Sequence, residues 1–361
     1  MPSELQYELR ELWKKHRPKT SDEILDAYFN EVYNPAELSI MRNASGEMTA
    51  CCQMLLRKMT LCNRNISIGI IAATAICPSL KAAERTQAAR NALTLLHQRM
   101  AQKGALISIA FPKDSEERKT LEACGYAMAS HIIEADPNTP ETDTAMPDVS
   151  IQEETEWGND LWNFYNRNGG RHDFEIKMSE GDFFALIAQN DAAGGSLIVA
   201  RRKKNIVGLA LMRREGKPLK NGKASTKNFR VRIPFILALQ EDGFFDLIRH
   251  AKIAYPDCKQ TLVSTACPPK AFEGSRPYAM VRAIQAEKFL TEMARQMPGL
   301  QLETAIANDD DLPENNGGYR IIKGRCHRHT QTPESTTTPG GVPALFMVGR
   351  PAVIPPVFVW E

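Results

Sequence analysis

A strand-like segment followed by a basic, alanine-rich helical segment is the part of this sequence best suited to hold a phosphate group. Residues 73–76 have the apolar character of a strand end, Cys77-Pro78 follows, and a helix-compatible stretch runs from Lys81 to Lys103. The first amides of a helix lack partners within it, and the helix dipole favours negative charge there. A strand followed by such a helix could hold a phosphate at the helix start, or could simply be packed in any α/β domain.

A second set of reactive side chains, Cys326, His327 and His329, has the residue types of a metal site. A structural zinc site needs four ligands, and no fourth ligand lies at a suitable spacing, so we expect no metal. The 8 cysteines show no paired two-residue spacing, which argues against a zinc ribbon or a disulfide framework. The run 309–311 of three aspartates could suggest paired carboxylates, but a solvated turn before Pro313 is the simpler interpretation.

Length and charge restrict the class of protein. The chain has 361 residues, which exceeds the size at which a single core usually stops growing, so we expect two or three domains. The 45 basic and 43 acidic residues give a net charge of +2, which does not favour nucleic acid as a partner. The charged N-terminal segment lacks the apolar stretch of a signal peptide, and no window reaches a membrane span. We therefore expect a cytoplasmic protein without a membrane partner.

The elements that must position these residues are visible in the first part of the chain. Helical spacing covers 3–30, with a new start at Ser21, and strands of an antiparallel meander occupy 38–75. After the helix from Lys81 we expect a buried strand at 105–110. A helix at 114–122 and the pair Gly125-Tyr126 complete this part.

The remainder is predicted in the same way. The prolines of 136–148 indicate a linker, and 157–265 contains helices and strands that suggest a second, degenerate copy of the first layout. The third part is predicted to hold a helix at 282–296 and strands at 301–307 and 319–323.

The order of elements from residue 73 to Tyr126 resembles that of the Gcn5-related N-acetyltransferase (GNAT) superfamily. Two C-terminal segments, 276–282 and 309–317, resemble the sterol-carrier-protein-like domain of its enhanced-intracellular-survival type. The resemblance implies an α/β (α+β) chain in which two fused GNAT-fold domains with mixed, splayed β-sheets precede a small sterol-carrier-protein-like α/β domain. The implied domains are 1–148, which binds acetyl-CoA, then the degenerate 149–268, and finally 269–361.

The resemblance also implies where acetyl-CoA binds, between two parallel strands that splay apart and at the start of the following helix. The implied cofactor-binding residues are Thr74, Ala75, Ile76, Arg85, Thr86, Gln87, Ala88 and Ala89. In relatives the phosphate loop is approximately Arg-Gly-Arg-Gly, whereas this chain has Arg85-Thr86-Gln87-Ala88. Side chains in place of glycine add bulk where the backbone must approach phosphate, so cofactor binding could be reduced or lost.

The reaction implied by the resemblance is direct transfer of an acetyl group to a primary amine, on a small molecule or a lysine side chain, without a metal. Tyr126 would protonate the leaving thiolate, and the C-terminal carboxylate of Glu361 would accept the amine proton. A tyrosine has an ordinary pKa near 10, which keeps it protonated at neutral pH. The resemblance further implies a homo-oligomer, a hexamer in relatives.

Two alternatives to acetyl transfer stay open on the sequence alone. The chain could be a non-catalytic GNAT-derived binding or regulatory protein whose phosphate loop has degenerated, or a lipid-binding protein that uses its last domain. The aromatic residues Trp13, Tyr28, Phe29 and Tyr33 could line an amine pocket, since aromatic faces attract cations, or could belong to the core.

Overall fold

The computed structural model describes residues 3–61, 64–136, 148–169, 173–218, 224–265, 275–329 and 336–347. Within these ranges the helices are α1 (Glu4–His16), α2 (Asp22–Glu31), α3 (Ala82–Gln102), α4 (Ser115–Ala123), α5 (Asn159–Asn168), α6 (Glu180–Ala192), α7 (Glu241–Ala254), α8 (Ala286–Gln296) and α9 (Gly341–Met347). The strands are β1 (Leu38–Arg42), β2 (Met48–Leu61), β3 (Arg64–Ile76), β4 (Ile107–Ala110), β5 (Ala127–Ala135), β6 (Val149–Glu153), β7 (Ile176–Lys177), β8 (Gly195–Arg202), β9 (Asn205–Pro218), β10 (Ala224–Ala238), β11 (Thr261–Thr265), β12 (Ser275–Ala283), β13 (Leu302–Ile306), β14 (Gly317–Ile322), β15 (Arg325–His329) and β16 (Thr336–Thr337).

A 12-stranded mixed sheet runs through the described part of the chain. Its order is β1-β2-β3-β4-β12-β5-β11-β10-β9-β8-β6, and β7 pairs with β2. Two pairs are parallel, β3 with β4 and β10 with β11, so the sheet has two similar halves that meet where β5 pairs with β11. A separate sheet has the order β15-β14-β13-β16. The α/β class with mixed sheets predicted from the sequence is confirmed.

The first half of the sheet is covered on both faces. Ile70 packs in a cluster with Phe289 of α8 and Val342 of α9. The next residue, Ile71, packs in a different cluster with Leu93 of α3. Because successive residues of a strand point to opposite faces, α3 lies on one face and the C-terminal helices lie on the other.

Local signals set most of the helix boundaries. Ser21 caps α2 and Asp114 caps α4, each through a side-chain oxygen that accepts from the backbone. The predicted helix from Lys81 to Lys103 corresponds to α3, which Gly104 follows with a φ of 80°. None of the helices that the structure describes is both long and apolar enough to span a membrane.

One predicted helix boundary is wrong. The helix expected from residue 282 begins at Ala286, and Arg282 belongs to β12, which lies between β4 and β5 in the large sheet. The propensities around Arg282 allow both structures, and pairing with distant strands decides between them. The predicted domain boundary at 268/269 and most of the predicted linker at 136–148 lie outside the described residues.

Candidate active site

A cleft opens where two neighbouring parallel strands stop pairing. β3 pairs with β4 only over Ile68–Ile70, although β3 continues to Ile76 and β4 to Ala110. A cleft of about 830 Å³ lies at this place, lined on its β3 side by residues from Ile71 onwards. Strand edges that do not pair with each other have amides and carbonyls available to a ligand that lies between them.

A β-bulge marks the cleft wall on β3. The register of β2 and β3 shifts by one residue between Cys51 and Gln53, so β3 carries an extra residue there. Ala73 in this segment has a φ of 49°, a left-handed conformation that costs an alanine roughly 1–2 kcal/mol. A bulge interrupts the hydrogen-bond ladder and bends the strand. Because Ala73 lines the cleft, the interruption lies where a ligand would contact β3.

The start of α3 forms the next part of the wall. Arg85, Thr86 and Ala89 line the cleft within the first turns of a helix that begins at Ala82. The amides of the first turn lack acceptors within the helix, and the dipole is positive at this end. The carboxylate of Glu84 accepts a hydrogen bond of 3.0 Å from the amide of the preceding capping residue. A carboxylate of the protein therefore already lies at the start of α3, although Glu84 is outside the lining of the cleft that the described residues form.

Arg85 is the basic residue of α3 that lines the cleft. Its Nη2 donates to Oε1 of Glu116 at 3.2 Å across the cleft mouth, and both side chains are partly exposed. Among the described residues, no partner accepts from its buried Nε. An exposed ion pair of this kind contributes about 0–1 kcal/mol. Arg85 can therefore exchange Glu116 for a phosphate oxygen at small cost.

The predicted cofactor-binding residues divide into two groups. The members that line the cleft are Thr74, Ile76, Arg85, Thr86 and Ala89. Those outside the lining are Ala75, Gln87 and Ala88. Ala75 is fully buried against α1, and Gln87 donates to Asn91 at 2.7 Å along α3. The segment 85–88, which was compared with the phosphate loop of relatives, lies inside α3 and is helical. Glycine is unfavourable inside a helix, so residues with side chains are expected there.

Sequence reasoning missed the part of the cleft wall that α4 forms. Asp114, Glu116 and Glu117 at the start of α4 line the cleft. Oε2 of Glu117 accepts a hydrogen bond of 2.8 Å from the Lys113 amide. Burial raises the pKa of Glu117, although this hydrogen bond opposes the shift. The signals for a capped helix were visible in the sequence, but the packing of α4 against α3 was not.

A strand from far along the chain closes the cleft on the other side. Tyr278 and Arg276 of β12 line it, next to Phe111 at the end of β4. The rings of Phe111 and Tyr278 have centroids 5.1 Å apart. Nε of Arg276 donates to Oε2 of Glu134 at 2.7 Å. This end of the cleft therefore combines aromatic surface with an arginine whose side chain is hydrogen-bonded to Glu134.

Tyr126 is buried behind the cleft and is absent from the lining that the described residues form. Its hydroxyl lies 2.9 Å from Nε2 of His97 and 2.6 Å from Oγ of Ser108. Burial raises the pKa of Tyr126 well above its ordinary value. Ser108 and Ala110 are alternate residues of β4, so their side chains point to the same face of the sheet. Ala110 lines the cleft. The Tyr126 hydroxyl, which bonds to Ser108, therefore lies next to the part of β4 that borders the cleft.

The donor and the acceptor of each hydrogen bond in this buried network can be assigned. Nδ1 of His97 lies 2.8 Å from Oδ2 of Asp311. Burial, together with the charge of Arg282, lowers the pKa of His97 to about 4, so the imidazole is neutral at pH 7. A carboxylate only accepts, so Nδ1 carries the hydrogen and Nε2 accepts from Tyr126. The Tyr126 hydrogen therefore points to His97, and Ser108 donates to the Tyr126 oxygen.

The expectation of a solvated turn at 309–311 is wrong for two of its three aspartates. Asp309 is buried and forms an ion pair with the buried Arg282 of β12. Asp311 is half-buried, contacts Arg282 at 3.2 Å and bonds to His97. Burial alone would raise the pKa of Asp311, but the His97 hydrogen bond and the Arg282 charge lower it. Asp310 is exposed, as expected.

The other predicted site residues do not lie in the described lining of the cleft. Glu361 falls outside the described residues. Trp13 and Tyr28 are buried in the core, and Tyr28 bonds to Gln53. Phe29 and Tyr33 pack against Tyr28, so these aromatic residues belong to a core cluster between α1, α2 and the sheet.

The sequence matches no protein-family model and no curated protein. Its fold is similar to solved structures. A conserved protein of unknown function from Enterococcus faecalis, described as a probable N-acyltransferase, has a TM-score of 0.68 and 13% identity, over 97% of this chain and 89% of that chain. A GCN5-related N-acetyltransferase from Anabaena variabilis has a TM-score of 0.68 and 13% identity, over 95% and 87%.

Eis1 from Mycobacterium abscessus is similar in the same way, with a TM-score of 0.67 and 12% identity, over 97% of this chain and 89% of that chain. At these identities the similarity concerns the fold. The chain therefore has a GNAT-type fold over nearly its whole length, as the sequence predicted.

Proposed function

We propose that this protein is an acetyl-CoA-dependent N-acetyltransferase that transfers the acetyl group directly to a primary amine. The observation that carries the proposal is the cleft at the end of the β3–β4 pairing, with the bulge at Ala73 on one wall and the start of α3 on another. The N-acetyltransferase and N-acyltransferase names of structures with the same fold support it.

The residues present are compatible with acetyl-CoA, which supplies the activated acetyl thioester. Arg85 would bind phosphate, because its Nε has no partner among the described residues and its Glu116 contact is exchangeable. The edge of β3 around Thr74 would hold the pantetheine arm. The amine would approach along the end of the cleft that Phe111 and Tyr278 line, where aromatic faces attract cations.

Direct transfer needs a neutral amine and a proton for the leaving thiolate. The proposed base is the Glu361 carboxylate; within the described residues Glu117 is a second candidate, because it lines the cleft with a raised pKa. The proposed acid is Tyr126. To protonate the thiolate from its buried position, Tyr126 must pass its hydrogen to Oγ of Ser108 while Ser108 gives its own hydrogen to the sulfur, so both hydroxyls must turn from their present directions.

The test is an assay of thiol release from acetyl-CoA with a panel of small amines and lysine peptides. Amine-dependent release by the intact protein supports the proposal. Arg85→Gln should raise KM for acetyl-CoA, while Arg118→Gln, an exposed change on α4 outside the cleft, should not. Absence of amine-dependent release with every acceptor would contradict transferase activity.

A non-catalytic binding protein is the second candidate, and a specific observation favours it. Glu84 places a carboxylate at the start of α3, and Thr86 and Ala88 replace the glycines of relatives. Thr86→Gly with Ala88→Gly should strengthen acetyl-CoA binding if this segment only impairs the site. Unchanged, weak binding would count against the placement of the phosphate site at α3.

A further inference from the structure

A chain of hydrogen bonds runs from Ser108, beside the cleft, to Asp311. It passes through the Tyr126 hydroxyl and the His97 ring, with distances of 2.6, 2.9 and 2.8 Å between successive groups. Ser108, Tyr126 and His97 are each 3% exposed or less, whereas the Asp311 side chain is 11% exposed. Because water is excluded from the three inner groups, a proton moves between them through these bonds.

Tyr126 is a poor final source for the proton of the leaving thiolate. Once it had passed its hydrogen to Ser108, its oxygen would carry a negative charge. Burial already raises the pKa of Tyr126 above its ordinary value, which disfavours this anion. The anion would also face the lone pair of Nε2 on the neutral His97, at 2.9 Å. Tyr126 must therefore receive a second hydrogen as it gives up its own.

Nε2 of His97 can supply this hydrogen once it has received a proton itself. In the resting network the hydrogens of Ser108 and Tyr126 both point towards His97. A proton that arrives at Oγ of Ser108 is therefore carried to Nε2 by one shift along each bond. In the imidazolium that results, Nε2 donates to Tyr126 and Nδ1 still donates to Asp311.

The charged groups around His97 balance this imidazolium. Arg282 of β12 forms an ion pair with Asp309, and it contacts Asp311 at 3.2 Å. One carboxylate is in excess over the single guanidinium, so a proton on His97 neutralises the cluster. Burial still favours the uncharged ring and lowers the pKa of His97 to about 4. The imidazolium is therefore a short-lived state at pH 7.

We propose that His97, positioned by Asp311, holds the proton that the attacking nitrogen loses and returns it to the leaving sulfur. The proposal rests on the proposed acetyl transfer, in which a carboxylate base first makes the amine neutral. After attack, the nitrogen and the sulfur are bonded to the same carbon, so the Ser108 hydroxyl can serve both. An imidazole that takes a proton and then gives it to a leaving group is a known catalytic arrangement.

Each hydrogen shifts by one bond and then returns. When the nitrogen releases its proton to Oγ of Ser108, Ser108 gives its hydrogen to Tyr126, and Tyr126 gives its own to Nε2 of His97. When the C–S bond breaks, the sulfur keeps the bonding electrons and takes the Ser108 hydrogen. Tyr126 then replaces the Ser108 hydrogen, and His97 replaces that of Tyr126. The amide and the free thiol are formed, and the network regains its resting arrangement.

Steady-state thiol release separates this role from a purely structural one. His97→Gln should lower kcat by about a hundredfold and change KM for acetyl-CoA less than about twofold, because His97 does not line the cleft. Asp311→Asn should lower kcat at least about tenfold, since the imidazolium loses its carboxylate partner. The matched controls are His131→Gln and Asp310→Asn, at exposed positions, and both should keep kcat.

Nitrogen-15 NMR of the intact, labelled protein at pH 7 tests the same role without turnover, with His97→Gln to assign the signals. We expect a hydrogen on Nδ1 of His97 and none on Nε2. A hydrogen on Nε2 would overturn the proposal, because Nε2 could then accept no proton. An unchanged kcat in a folded His97→Gln protein would also overturn it, while acetyl transfer would stand. Absence of thiol release by the unmodified protein would contradict acetyl transfer itself, and this role with it.

Discussion

The hydroxyl of Tyr126 lies 2.9 Å from Nε2 of His97 and directs its hydrogen there instead of towards the cleft. The direction follows from Asp311, which accepts the other imidazole hydrogen at 2.8 Å. Tyr126 is thus a member of a buried network that joins α3, β4 and the segment after β13. Its structural contribution and its proposed catalytic one can be measured separately.

Tyr126→Phe should lower the free energy of unfolding by about 1–3 kcal/mol, because it leaves Nε2 of His97 and Oγ of Ser108 buried without this partner. Urea unfolding at pH 7 measures the change. Ser108→Ala, which removes one hydrogen bond and keeps the other, should cost less. A variant as stable as the natural protein would contradict the described network.

If Tyr126 is the acid, Tyr126→Phe should also lower kcat by about a hundredfold or more without changing KM for acetyl-CoA. Ser108→Ala should lower kcat as well, since Ser108 lies between Tyr126 and the cleft. Thiol release under saturating acetyl-CoA measures both. Unchanged kcat in a folded Tyr126→Phe protein would make the residue purely structural.

The low pKa of His97 should make the fold sensitive to mild acid. In the unfolded chain this histidine takes up a proton near pH 6.5, but in the folded protein it does so only near pH 4. The unfolded state therefore binds more protons in this window, and stability falls as the pH falls from about 6.5 to about 4. The slope should approach 1.4 kcal/mol per pH unit.

Urea unfolding at several pH values checks this slope. His97→Gln should flatten it between pH 6.5 and 4, at the cost of a lower stability at pH 7. His131→Gln, a change at an exposed position of β5, is the control and should keep the slope. An unchanged slope in His97→Gln would show that other groups cause the acid sensitivity.

The 3.2 Å contact between Arg85 and Glu116 predicts opposite effects of two substitutions. Glu116→Gln should tighten acetyl-CoA binding about two- to fivefold, because it frees the Arg85 guanidinium and removes a negative charge from the cleft mouth. Arg85→Gln should weaken binding about tenfold. Calorimetric titration with acetyl-CoA measures both, and equal effects in the same direction would exclude competition between Glu116 and the cofactor.

The raised pKa of Glu117 gives a way to distinguish the two candidate bases. A carboxylate base is active when deprotonated, so kcat/KM should rise with pH through the pKa of Glu117 if it accepts the amine proton. Glu117→Gln should then abolish this rise of kcat/KM with pH and lower kcat/KM. Glu122→Gln, on the same helix but outside the cleft lining of the described residues, is the control. If the rise of kcat/KM with pH persists in Glu117→Gln, the result would favour the C-terminal carboxylate as the base.

The local part of the fold was predictable, because its signals are carried by neighbouring residues. Ser21 and Asp114 have the residue types of helix caps, and Gly104 that of a helix end. α3 matched its predicted span to within one residue at each end. The position of the cleft, in contrast, was implied by the family resemblance and not by these local signals.

The remaining part of the site depends on long-range pairing that local patterns do not encode. β12 reaches β5 from about 150 positions away, so Tyr278 and Arg276 could not be assigned to the cleft. Asp309 is indistinguishable from a solvated aspartate until Arg282 is placed beside it. The bulge at Ala73 also lacks a glycine that would have indicated a left-handed residue.

The most direct test of the central claim is calorimetric titration of the intact protein with acetyl-CoA, beside the Arg85→Gln variant. The proposed cleft predicts saturable binding with a Kd in the micromolar range and about tenfold weaker binding by the variant. No saturable heat up to about 1 mM acetyl-CoA would contradict the assignment of the cleft as an acetyl-CoA site.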